Sequence, residues 1–238
     1  FKLTCDQSKC VDKIYDDLMS INRMNRLILG DVGSGKTIVA IIAMVINYYS
    51  KYQSTLMAPT EILAKQHFKT ICDLTKNLDI SCELLVGSMS TKEKNTIKKR
   101  LASGEIDIIV GTHTLISDDV EFKNLGLVVT DEQHRFGVNQ RNNLQNKGNL
   151  PDIIYLSATP IPRTYALTIY GDMDTSLIKE KPSGRKDIIT KLVKNKNLKD
   201  VLFHMLAEIK DGHQIYVVSP LIEDEEGESD LETVYELK

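Results

Sequence analysis

The chain has 238 residues, of which 42% are hydrophobic and 26% charged, and its formal net charge is −3 at pH 7. This length suits one large or two small domains, and the hydrophobic content is sufficient for a packed core. The sequence contains neither an apolar run of transmembrane length nor an initial signal-peptide pattern, so we expect no association with membranes. A slightly negative charge also argues against a protein that holds nucleic acid by bulk charge, although it permits a local phosphate-binding track.

The four cysteines are Cys5, Cys10, Cys72 and Cys82. They form no C-x-x-C pair and are not followed by histidines at zinc spacing, so we predict free thiols in a reducing compartment, the cytoplasm. Because Phe1 stands within what reads as a motif, we also expect the sequence to be a piece of a longer protein.

The first predicted element is an amphipathic helix near residues 11–19, which follows an aromatic residue and Gln7. An aromatic ring can stack on a base, and an amide offers both a donor and an acceptor, which suits the edge of adenine. By itself this pattern is weak, because a glutamine at the start of a helix is more often simply solvated.

A glycine-rich loop follows, between an apolar run at 27–29 and a longer one at 38–49. Its residues are Gly30, Asp31, Val32, Gly33, Ser34, Gly35, Lys36 and Thr37, which read G-x-x-x-x-G-K-[ST]. In a strand–loop–helix context, successive N–H groups and the positive end of the helix surround a phosphate. We expect Lys36 to reach the β- and γ-phosphates of ATP and Thr37 to ligate Mg²⁺.

Beyond this loop, strand-sized apolar runs alternate with helix-sized segments. We predict strands at 56–60, 82–86, 106–110, 125–130 and 153–156, and helices at 61–74 and after a capping box at 90–93. This alternation indicates an α/β fold with parallel βαβ units and a buried sheet. Each polar motif follows the carboxyl end of a strand, which is the edge where open α/β sheets bind ligands.

Two acidic residues, Asp131 and Glu132, follow the apolar run at 125–130. Because the two residues are adjacent at a strand end, their side chains diverge. Asp131 is therefore expected to hold Mg²⁺ through water, and Glu132 is expected to position the attacking water. An isolated Asp-Glu pair is usually a surface turn, but the strand before it and the phosphate loop upstream favour catalysis. We interpret His134 as a coupling residue and not as a metal ligand.

Taken together, these motifs resemble the superfamily 2 helicase motor. The matching segments, in that family's order, are 36–37, 58–61, 111–113, 131–134 and 157–159. The longer segments 131–138 and 157–164 are similar to a bacterial group that migrates branched DNA, and 219–223 resembles the start of its second motor domain. Transcription-repair coupling translocases share the segment 159–164 but differ at Gln133 and His134.

The resemblance implies a RecA-like P-loop NTPase domain at 1–182, with a mostly parallel sheet flanked by helices, and the beginning of a second RecA-like domain at 183–238. In the second domain the pattern itself predicts strands at 188–193 and 214–222 and a helix at 198–209. The second motor domain normally supplies an arginine to the γ-phosphate, in a motif that the sequence does not contain. We therefore expect the chain alone to be nearly inactive.

Several roles are carried over by the same resemblance. Gln7 would read adenine, Thr60 and Thr112 would contact the DNA backbone, and three residues would couple nucleotide state to DNA: His134, Ser157 and Thr159. The expected activity is that of a monomeric, ATP-dependent DNA helicase, with Mg²⁺, acting on forked or branched DNA. The alternatives are a translocase of the transcription-repair coupling type and a nucleotide-gated binding module with vestigial hydrolysis.

Overall fold

The computed structural model describes residues 2–131, 150–158, 173–180, 189–193 and 198–218. The chain forms two compact units, residues 1–185 and 186–238. The assignment of 1–182 and 183–238 to two motor domains remains a prediction.

The first unit alternates helices and strands over most of its described length. In chain order its elements are α1 (Cys5–Leu18), β1 (Asn25–Gly30), α2 (Lys36–Tyr49), β2 (Gln53–Met57), α3 (Glu61–Thr75), β3 (Cys82–Leu85), α4 (Thr91–Ser103), β4 (Ile108–Gly111), a 3₁₀ helix (His113–Ile116), β5 (Leu125–Asp131), β6 (Asp152–Ser157) and β7 (Asp174–Ile178). The predicted α/β class is therefore confirmed.

The seven strands form one sheet in the order β3-β4-β2-β5-β6-β1-β7, and neighbouring strands pair in parallel. Leu29 of β1 lies beside Ser157 of β6, and Asp131 of β5 lies beside Leu156. Because parallel strands end at the same edge, the glycine loop after β1 and the carboxylate at the end of β5 share that edge.

Both faces of the sheet are covered, which favours apolar runs in its central strands. The strand predicted at 56–60 is β2 at Gln53–Met57, and its predicted boundary is wrong because its first three residues are polar although buried. All five residues of β2 and all four of β4 are buried. Successive residues of a strand point to opposite faces, so Ile28 joins one apolar cluster while Leu27 and Leu29 join the other. The buried sheet provides a rigid edge for the polar residues at the strand ends.

Helix α1 begins at Cys5, six residues before the predicted start, so the predicted boundary is wrong. Thr4 is the N-cap, and with Gln7 it forms a capping box in which each side chain accepts from the other residue's backbone N–H. The same T-x-x-Q signal is present in the sequence. The capping box predicted at Ser90 and Glu93 is confirmed.

Strand β7 was not predicted from the sequence. It is a mostly polar edge strand that pairs with β1. Asp6 of α1 accepts hydrogen bonds from the backbone N–H groups of Glu180 and Lys179, and these bonds lower the pKa of the Asp6 carboxyl. The first helix is thereby attached to the end of the edge strand.

In the second unit, the predicted helix is confirmed as α5 (Leu198–Lys210). The strands predicted at 188–193 and 214–222 are wrong where the structure describes them, because residues 189–193 and 214–218 have no regular structure. Apolar side chains such as Leu192 and Val218 are exposed there. A strand needs a paired neighbour and a covered face, and apolar composition alone supplies neither.

All four cysteines are free in the structure. Within the ranges given above, no helix combines the length and the apolar composition needed to cross a membrane.

Asp152, at the start of β6, provides a test of pH-dependent stability. Burial raises the pKa of its carboxyl, although Oδ1 accepts the backbone N–H of Met24 at 2.6 Å. With a folded-state pKa above the unfolded value, the stability that this group contributes is present at low pH and lost as pH rises through the folded pKa. Asp152→Asn keeps the acceptor and removes the charge, so its Tm should exceed that of the unaltered chain by up to a few degrees at pH 7.

The measurement is thermal unfolding between pH 4 and pH 8. The difference in Tm should shrink as the pH falls toward 4, while Asn in place of the exposed Asp118 should leave Tm unchanged. A Tm difference that does not vary with pH would contradict this account of Asp152.

Candidate nucleotide-binding site

The glycine loop joins the end of β1 to the start of α2. Gly33 and Gly35 have φ values of 76° and 85°, in the left-handed region that favours glycine. A Cβ atom on Gly35 would lie 2.3 Å from Nε2 of Gln7, so a larger residue there would be both strained and obstructed. Helix α2 begins directly afterwards, so the positive end of its dipole lies at the loop.

Lys36 lies across this loop. Its Nζ donates hydrogen bonds to the carbonyl oxygens of Gly30, at 2.7 Å, and Asp31, at 3.1 Å. The hydroxyl of Ser34 is buried and has no hydrogen-bond partner among the residues that the structure describes. An ammonium group at the positive end of a helix, beside a buried hydroxyl with no partner, fits an anionic ligand such as a phosphate.

Gln7 also contacts this loop. Its Nε2 donates to the carbonyl oxygen of Ser34 at 2.8 Å, while its Oε1 accepts the N–H of Thr4 at 3.0 Å. With 1% of its surface exposed, Gln7 is not the solvated residue that the local sequence favours. Both ends of its amide are engaged within the protein, and its role in reading adenine stays a prediction.

Asp131, at the end of β5, is paired with a histidine that sequence reasoning did not select. Nε2 of His67 donates to Oδ2 of Asp131 at 2.8 Å, and the two side chains are 10% and 14% exposed. His67 belongs to the buried stripe of α3 together with Ala64 and Ile71. The sequence signal that could have selected His67 is its helical spacing from the apolar residues Ala64 and Ile71, which predicts a buried position.

Thr37 and Asp131 provide hydroxyl and carboxylate oxygens, the ligands that Mg²⁺ prefers. Strand β5 lies two positions from β1 in the sheet, which places Asp131 about 10 Å sideways from the glycine loop. In the described part of the chain, no cluster of three or more His, Cys, Asp or Glu residues could hold a metal on its own. The donor set therefore fits a Mg²⁺ ion that arrives with phosphates, since such ions use one or two protein ligands.

Three other predicted site residues lie along the same edge. Thr60 is exposed and caps α3, accepting the N–H of Leu63 at 3.3 Å. Thr112 is 2% exposed, and its Oγ1 lies 3.5 Å from that of Thr114. Ser157 is buried at the end of β6.

The side chains of Asp31 and Val32 are exposed in the loop. Glu132, His134 and Thr159 lie outside the described residues. All of the predicted roles stay predictions: nucleotide binding for the loop residues, catalysis for Glu132, DNA contacts for the two threonines, and coupling for the other three residues.

Residues 4–168 match the family model of DEAD/DEAH box helicases, and this match covers more than half of the chain. The chain therefore belongs to the DEAD/DEAH box helicase family. Within it, the chain is similar to the ATP-dependent DNA helicase RecG: it is 53% identical over 224 residues to the protein of Bacillus subtilis, covering 94% of this chain and 33% of that one. For RecG of Streptococcus pneumoniae the identity is 50% over 226 residues, with 95% and 33% covered.

The chain is also similar to solved structures of helicases. RecG bound to a three-way DNA junction has a TM-score of 0.83 and 45% identity, covering 93% of this chain and 30% of that chain. The helicase domain of Pyrococcus furiosus Hef, with a TM-score of 0.56 and 22% identity over 87% of this chain and 46% of its own, shares the fold. The similarity to helicases expected from the motifs is confirmed, and the chain spans about a third of the length of its curated relatives.

Proposed function

We propose that this chain is the nucleotide-binding part of an ATP-dependent DNA helicase that acts on branched DNA. The observation that carries the proposal is the glycine loop, held between Lys36 and Gln7 at the sheet edge that also presents Asp131. The names of the RecG relatives, and the three-way junction bound by one of them, support the DNA substrate.

The first task of the site is to hold the triphosphate. The loop N–H groups and the positive end of α2 would bind the phosphate oxygens, and Lys36 would exchange its two carbonyl partners for the β- and γ-phosphates. Thr37 and Asp131 would hold Mg²⁺, which when bound neutralises phosphate charge. Glu132, the next residue after β5, would accept a proton from the attacking water.

The second task is to connect hydrolysis to movement. Thr60 and Thr112 would contact the DNA backbone, since a motor must follow any base sequence. His134, Ser157 and Thr159 would transmit nucleotide state to those contacts. We assign the complete activity to the full-length protein, and we expect a cytoplasmic monomer.

The experiment is steady-state ATP hydrolysis by the full-length protein, with a synthetic fork or a linear duplex of equal length as cofactor. Hydrolysis should be stimulated several-fold more by the fork. DNA affinity should also fall at least about tenfold between 50 and 200 mM salt, because phosphate contacts release counterions. Equal stimulation by both DNAs would contradict the branched substrate, and binding insensitive to salt would contradict the DNA-backbone contacts.

A further inference from the structure

His67 occupies the middle of α3, on the side of the helix that faces the sheet. The whole residue, backbone included, is 8% exposed, and it lies between Ala64 and Ile71 on the buried stripe of the helix. A polar ring in such a position must satisfy its N–H group, because an unpaired buried donor is costly. The partner that it finds, Asp131, belongs to the candidate site and stands 64 residues later in the chain.

The hydrogen bond has a defined direction. A carboxylate only accepts, so Nε2 of His67 carries the proton and donates it to Oδ2 of Asp131 over 2.8 Å. One carboxylate oxygen is thereby engaged from the protein side, which restricts the rotation of the carboxylate. The second oxygen, Oδ1, is the one left to face a metal ion or a water bound to it.

We propose that His67 is a positioning residue, which orients the Asp131 carboxylate toward the Mg²⁺ ion that accompanies the nucleotide. The inference rests on the proposed function of the glycine loop. Groups that hydrogen-bond to metal-binding carboxylates typically change metal affinity or activity by 10–100-fold when removed. A histidine that only filled space under the sheet would not influence the metal dependence of nucleotide binding.

The test uses His67→Leu, which keeps an apolar side chain of similar size without a donor, and His67→Gln, whose amide Nε2 places a donor at nearly the same reach. His204→Leu in α5 is the matched control, because His204 contacts a carboxylate at 3.8 Å but its side chain is 75% exposed. The measurement is the affinity of the 238-residue chain for fluorescently labelled ADP, first in EDTA and then across a Mg²⁺ titration.

For His67→Leu, the Mg²⁺ concentration at half-maximal effect should rise by about 10–100-fold, while the affinity for ADP in EDTA should stay within about twofold of the unaltered chain. His67→Gln should return the Mg²⁺ dependence to within a few-fold, and His204→Leu should change neither quantity. Thermal unfolding of each variant confirms that it is folded.

An unchanged Mg²⁺ dependence in His67→Leu would overturn the positioning role. So would an equal loss of affinity with and without Mg²⁺, which would indicate damage to the whole site, or a folded His67→Gln that behaves like His67→Leu. Failure of the unaltered chain to bind ADP at any Mg²⁺ concentration would overturn the proposed function and the positioning role with it.

Discussion

Lys36→Ala should lower the affinity of the chain for Mg·ATP by about 100-fold or more. Hydrogen bonds to charged groups contribute roughly 1.5–3 kcal/mol each, and the ammonium of Lys36 is expected to make one to each of two phosphates. Nζ already lies over the loop, 2.7 Å from the carbonyl oxygen of Gly30, so the side chain needs only a small displacement to meet a phosphate there. Alanine removes the two hydrogen bonds from Nζ to the loop carbonyls together with the charge, so thermal unfolding of the variant is measured beside its affinity.

The affinity is measured by titrating fluorescently labelled ATP in the presence of Mg²⁺. Lys94→Ala is the matched control, since Nζ of Lys94 also donates to a backbone carbonyl, that of Gly87 at 2.5 Å. Gly87, however, lies in the exposed segment before α4 and not in the glycine loop. The control should bind nucleotide as the unaltered chain does. If Lys36→Ala binds within threefold of the unaltered chain, the loop does not use this lysine for phosphate.

The first six strands were predictable because the sheet is parallel and buried on both faces. Such strands tend to be apolar runs, and β4 and β6 stand out from the polar helix segments for that reason. Strand β2 was only partly found, because its first three residues, Gln53, Ser54 and Thr55, are polar although buried. The start of α4 followed from local chemistry, the capping box of Ser90, whereas the same kind of signal at Thr4 was missed. The information for these elements is contained within windows of a few residues.

Strand β7 was missed because its information is not local. Its sequence, Asp-Thr-Ser-Leu-Ile, is mostly polar and only two of its five residues are buried. It becomes a strand by pairing with β1, about 150 residues earlier, and its end is attached by Asp6. The converse error occurred in the second unit, where apolar residues at 189–193 and 214–218 resembled strands but form no ladder in the structure.

The residues of the candidate site also divide into those with a local sequence signal and those placed by contacts between distant segments. The glycine loop and Asp131 were found from short motifs, whereas the burial of Gln7 and the selection of His67 depend on where the fold brings distant segments together. Gln7 bonds to Ser34 across 27 residues, and His67 meets Asp131 across 64. The helical spacing of His67 signals that it is buried, but neither residue carries a local signal that identifies its distant partner.

Glu132→Gln in the full-length protein should reduce kcat for ATP hydrolysis by about 10³-fold while leaving nucleotide affinity equal or higher. A positioned general base typically contributes 10²–10⁴-fold, and an amide of the same shape cannot accept the proton of the attacking water. The substitution changes none of the residues assigned to phosphate and Mg²⁺ binding, which include Lys36, Thr37 and Asp131. ATP should therefore be bound and retained without being hydrolysed.

Single-turnover hydrolysis and the affinity for fluorescently labelled ATP separate the two effects, and Glu121→Gln, an exposed carboxylate in the segment before β5, is the matched control. Turnover by Glu132→Gln within tenfold of the unaltered protein would remove the assigned role of Glu132. If the unaltered full-length protein itself bound ATP without hydrolysing it on any DNA, the nucleotide-gated binding module would replace the helicase. A large loss of kcat at constant affinity, confined to Glu132, is the result that only a working ATPase site produces.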